Sequence, residues 1–88
     1  MNNQGKRILV VEDSREYRDF LVILLSKHGY ECDSAQDGIE ALEKLRVGAF
    51  DLIISDVLMP RMDGFQLCRA VKSDEELKAI PVIFYSGH

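Results

Sequence analysis

The segment "LIISDVLMPRMDG", Leu52 to Gly64, decides how the rest of the chain is read. Leu52 to Ser55 form a short apolar run of the kind that fills a covered strand. Asp56 ends that run with a carboxylate, which an apolar interior disfavours unless something compensates the charge. The following "VLMP" is apolar again, yet Pro60 lacks an N–H and blocks an ordinary continuation of strand or helix. The question posed by the segment is what a lone acid does at the end of a hydrophobic strand.

Working outward, the same strand-then-polar-break pattern recurs. "RILVV" (Arg7 to Val11) is an unbroken, β-branched apolar run, suited to a strand covered on both faces. It is broken by "EDS". Ser14 is an N-cap candidate, with Glu16 in the first turn of a helix. Tyr17, Phe20, Leu21, Leu24 and His28 recur at the spacing of one helical face. Ile23 and Leu25 widen that face, so a well-buried helix is expected, stopped by Gly29. "YECDSA" (Tyr30 to Ala35) is polar enough for an edge strand. Asp37 caps a second helix with Glu40 three residues on, as in a capping box, and Ile39, Leu42 and Leu45 supply its inner face up to Gly48. Beyond the central segment, Phe65, Leu67, Cys68, Val71 and Leu77 predict a third helix with a ragged end. "SDEELKAI" reads as a charged surface connection. Pro81 opens a fourth strand, "VIFYS" (Val82 to Ser86).

The order is therefore β-α-β-α-β-α-β. Strands alternating with helices of this length imply right-handed crossovers and a parallel sheet. With 88 residues the chain holds one domain at most. A composition of 47% apolar and 30% charged residues is ordinary for a globular protein. The net charge is −4 with Lys and Arg dispersed, so no basic stripe favours direct nucleic-acid binding. No apolar run is long enough for a membrane span, and "MNNQGKR" lacks the apolar core of a signal peptide. Cys32 and Cys68 are far apart and form no metal-binding pair; they are expected to pack as small apolar residues in a reducing cytoplasm.

In a parallel sheet all strand C-termini share one edge, and ligands bind there where strand order reverses. Glu12 and Asp13 follow the first strand, Asp56 ends the third, and Ser86 ends the fourth. If the first and third strands are neighbours, three carboxylates converge and repel one another unless a cation joins them. Hard oxygen ligands on loop ends suit Mg²⁺, which uses few protein carboxylates and keeps several waters. Asp56 then has the chemistry of a nucleophile toward a phosphoryl group. The Ser86 hydroxyl and the loop N–H groups after Asp56 can hydrogen-bond the phosphoryl oxygens.

The stretches "ILVVEDS" (Ile8 to Ser14), "DLIISDVLMPRMDGFQL" (Asp51 to Leu67) and "IPVIFYSG" (Ile80 to Gly87) together resemble the receiver domain of two-component response regulators. The resemblance runs from Lys6 to Gly87, and its second stretch is the most specific. It implies an α/β, flavodoxin-like (CheY-like) fold with strand order 2-1-3-4, the fifth strand and last helices of the family being absent from residues 1–88. It implies that Asp56 accepts a phosphoryl group from a sensor histidine kinase or a phosphotransfer protein. Glu12, Asp13, Asp56 and the main-chain carbonyl of Leu58 match the Mg²⁺ ligands, and Ser86 matches the switch hydroxyl. Pro60 and Gly64 match the residues that shape the loop after the third strand, and Leu58 and His88 fall where the family varies its dephosphorylation rate. The family's lysine and aromatic switch residue of the fifth strand have no counterpart here.

Two further expectations follow. An incomplete receiver exposes "VIFY" as an apolar edge, and self-association through the fourth strand is expected. Without the lysine, a receiver-like interaction module that is not phosphorylated is the alternative function. Neither reading makes the chain an enzyme in its own right. An aspartyl phosphohydrolase would want a second acid at Leu58, and a nucleotide- or flavin-binding domain would want a glycine-rich turn after the first strand, where "VVEDSRE" has none.

Overall fold

A computed structural model describes residues 5–59 and 61–86 of the chain. Four strands and three helices alternate: β1 (Arg7–Val11), α1 (Arg15–Lys27), β2 (Glu31–Ala35), α2 (Gly38–Val47), β3 (Leu52–Asp56), α3 (Gly64–Lys72) and β4 (Val82–Tyr85). The strands form one sheet in the order β2-β1-β3-β4, and every pairing is parallel. The order reverses between β1 and β3, so the crevice beyond their C-terminal ends is the place where ligands bind in sheets of this kind. "YECDSA" does lie at an edge, as its polarity implied.

Each helix starts where a side chain satisfies otherwise orphaned backbone donors. Ser14 Oγ accepts from the Tyr17 amide, and Asp37 Oδ1 accepts from the Glu40 amide at 2.9 Å. The Glu40 side chain reaches back to the Gln36 amide rather than to that of Asp37. Asp63 and Gln66 form a full capping box at the start of α3. Gly29 follows the C-terminus of α1 at a φ of 92°, a conformation that a Cβ would oppose.

The core lies on one face of the sheet. Leu9, Val11 and Ile53 point from the strands into a cluster with Ala41 and Leu45 of α2 and Leu67 and Val71 of α3. Leu77, in the turns after α3, joins this cluster at 6% exposure and Ile80 packs against it, so "SDEELKAI" is a surface connection with two anchoring residues. Because side chains alternate along a strand, Ile8 and Val10 face the other way, beneath α1.

All three helices depart in part from the periodicity. No residue of α1 is buried: Phe20 is 55% exposed, Ile23 58% and Leu24 41%. Apolar spacing identifies the face of a helix, but another element must supply the cover, and among the described residues α1 is covered only by the strands beneath it. The expectation of a well-buried first helix is thus corrected. In α2 and α3, Ile39 and Phe65 are exposed, and Ala41 and Leu67 take the inner positions.

Candidate functional site

The site is assembled at the C-terminal edge of β1 and β3. Val11 lies opposite Ser55 in the β1–β3 register, so the next residues, Glu12 and Asp56, leave the sheet side by side. One carboxylate oxygen from each of Glu12, Asp13 and Asp56 falls within 4.8 Å of the others. Glu12 and Asp56 are fully buried, and Asp13 is exposed. This is the convergence that the strand order implied, and the donor set fits a hard divalent cation: three anionic oxygens on one open side of a sheet edge.

Glu12 is held at several points. The Ser14 amide donates to its Oε2 at 2.7 Å, and the Tyr85 phenol donates to its Oε1 at 2.5 Å. The Arg18 guanidinium donates to its main-chain carbonyl at 2.8 Å, tying α1 to the site. On Asp56, Oδ1 accepts from the Leu58 amide at 3.2 Å, so a loop N–H after the acid does face its carboxylate. The Leu58 side chain itself is exposed.

The loop after Asp56 is shaped by its neighbours. The Gly64 amide donates to the Val57 carbonyl at 3.0 Å. A Cβ on Gly64 would stand 2.6 Å from the Asp56 carbonyl oxygen and 3.1 Å from the Phe84 ring, so only glycine lets α3 begin this close to the end of β3. Arg61 adopts a positive φ of 68° and bonds Asp37 at 2.8 Å. Met62 fills the space a side chain at Gly38 would need. Pro60 lies outside the described residues, as do Gly87 and His88.

Ser86 follows β4 on the same edge and is exposed; the Val57 amide, one residue past Asp56, donates to the carbonyl of its neighbour Tyr85. Tyr85 was not singled out by the sequence. Its ring meets Tyr17 of α1 edge-on at a centroid distance of 5.8 Å. Burial pushes its phenol above the usual range, and the bond to Glu12 with the charges of Glu12 and Asp56 push it further, so it stays protonated and donating. Strand alternation places Tyr85 on the α1 side of the sheet, but its reach across β3 to Glu12 depends on strand order and register, which composition does not carry.

Residues 8–88 match the family model described as the response regulator receiver domain. Among curated proteins, the chain is 41% identical over 93% of its length to the CAI-1 autoinducer sensor kinase/phosphatase CqsS of Vibrio cholerae, covering 12% of that protein. It is 36% identical over 97% of its length to protein PilG of Pseudomonas aeruginosa, covering 63% of it. Among solved structures, the receiver domain of a signal transduction histidine kinase from Syntrophus aciditrophicus superposes with a TM-score of 0.87 at 45% identity, over 91% of this chain and 61% of that one. Chemotaxis protein CheY4 of Vibrio cholerae superposes at 0.86 with 40% identity, over 90% and 66%. The chain thus spans less than two thirds of these relatives. Parallel strand order, the acidic triad at the switch point and the family match over nearly the whole length agree: the chain belongs to the response regulator receiver domain family.

Proposed function

We propose that this chain is a phosphoacceptor module of a two-component phosphorelay, taking a phosphoryl group from a histidine kinase or phosphotransfer protein onto Asp56 in a Mg²⁺-dependent reaction. The observation that carries the reading is the convergence of Glu12, Asp13 and Asp56 within 4.8 Å at the switch point of the sheet. Receiver domains of histidine kinases and response regulators among the relatives support the choice of partner.

In this reading an oxygen of Asp56 forms the new O–P bond as the donor's P–N bond breaks, and the donor imidazole leaves with the electron pair and takes a proton. The product is an acyl phosphate on Asp56. Glu12, Asp13, Asp56 and the Leu58 carbonyl would hold Mg²⁺, which when bound neutralises charge on the phosphoryl oxygens. The Leu58 amide already donates to Asp56 Oδ1 and orients that carboxylate. Ser86, next along from β4, supplies a hydroxyl to the phosphoryl group. The phosphoryl group comes from a partner protein, so the chain serves as acceptor rather than as an enzyme. Two free thiols, Cys32 and Cys68, suit a reducing cytoplasm.

The test is incubation with a small-molecule phosphodonor and Mg²⁺, followed by intact mass. The expected result is a gain of one phosphoryl group that is lost in Asp56→Asn. No gain at any metal concentration overturns the reading and favours an interaction module that is not phosphorylated. The same reading includes self-association of this chain through β4, an edge strand whose Ile83 is 51% exposed. Sedimentation at rising concentration is expected to show dimers, and a clean monomer removes that part.

A further inference from the structure

Tyr85 is the one side chain from β4 that enters the acidic cluster by a hydrogen bond, and nothing in the family pattern above assigns it a role. In the β3–β4 register it stands opposite Asp56, while Glu12 follows Val11, whose partner is Ser55. Glu12, Asp56 and Tyr85 therefore leave three adjacent strands in one row. Tyr85 reaches along this row over β3 to bond Glu12 Oε1, while the Ser14 amide takes Oε2 from the far side. The ring is braced by Tyr17 of α1.

A carboxylate has about four lone-pair sites. A donor on each oxygen fixes the plane of the Glu12 carboxyl. Glu12 is fully buried, so the bond is shielded from water, and an untethered carboxylate there would have to be ordered when a cation arrives. Outer partners of this type orient the residues that meet a metal and commonly change affinity by about 10- to 100-fold.

We propose that Tyr85 is a positioning residue of the cation site: its phenol O–H, held by β4 and Tyr17, sets the orientation of the Glu12 carboxylate and so raises the affinity of the cluster for Mg²⁺. The proposal rests on the reading of Glu12, Asp13 and Asp56 as a Mg²⁺ site. It also gives β4 a direct chemical link to β1 that bypasses the backbone.

The experiment is a Mg²⁺ titration of the whole chain followed by amide and side-chain NMR in the wild type, Tyr85→Phe and Tyr85→Leu. Tyr85→Phe keeps the ring against Tyr17 and removes only the hydroxyl. The expected result is weaker binding by about tenfold in both variants, with the Glu12 carboxyl carbon resonance already displaced in metal-free Tyr85→Phe. Tyr85→Phe binding as tightly as the wild type, or more tightly, overturns the proposal; if Tyr85→Leu alone is weakened, the ring acts by packing. The wild type supplies a check that needs no variant: the phenolic carbon of Tyr85 and the carboxyl carbon of Glu12 must shift with the same midpoint, and an unmoved Tyr85 also overturns it. A wild type that binds no Mg²⁺ overturns the site reading itself, whereas a wild type that binds like Tyr85→Phe overturns only the role of Tyr85.

Discussion

The two faces of the sheet are built differently. On the face toward α2 and α3, strands and helices interdigitate, and Leu9, Val11, Ile53, Leu67 and Val71 have no measurable exposure. On the face toward α1, Ile8 and Val10 are covered, but the helix above them buries none of its own residues completely. Two ties hold α1 near its N-terminal end, beside the acids: the Arg18 bond to the Glu12 carbonyl and the edge-on contact of the Tyr17 ring with Tyr85. The closed face thus holds the larger apolar cluster, while the open face holds α1 by the end nearest the acids.

Substitutions can break that contrast. Leu67→Ala removes a fully buried side chain from the closed face and is expected to cost about 2–5 kcal/mol by chemical denaturation. Phe20→Ala on the open face is expected to stay below about 1 kcal/mol in the same experiment, since the ring is already more than half exposed. Equal losses at the two positions would mean that α1 is as firmly packed as α3.

The smallest effect sharpens the comparison at the sheet's β2 edge. Asp33 is pushed up by partial burial, but the Lys44 ammonium, the Ser34 amide and the Arg7 charge outweigh this and hold its carboxyl below its ordinary value of 3.8. A depressed folded-state value contributes stability above the unfolded one, and that contribution is lost as pH falls through the folded one. Lys44→Met is therefore expected to move the Asp33 titration upward by NMR and to flatten the acid limb of the stability curve. Both side chains are about a third or more exposed, so screening keeps the change small.

Much of this arrangement was legible in the chain itself, and the failures have common causes. Short β-branched runs such as "RILVV" and "DLIIS", separated by capped helices, specify a parallel sheet because each run is too apolar to face water. Asp56 stood out because nothing local explains a carboxylate at the end of such a run. The Glu12–Asp13–Asp56 convergence follows from the pairing of β1 with β3. What periodicity could not supply was cover: Phe20, Ile23 and Leu24 have the spacing of a buried face whether or not an element lies above them. Nor could it reveal Tyr85, whose partner is 73 residues away along the chain and two strands away across the sheet.

The clasp between Arg61 and Asp37 has a consequence of its own. Asp37 is at once the buried partner of the loop that follows Asp56 and the residue that seals the first turn of α2. A shift of Arg61 away from this position would therefore loosen the cap of α2 as well as the loop, so the two segments share one carboxylate.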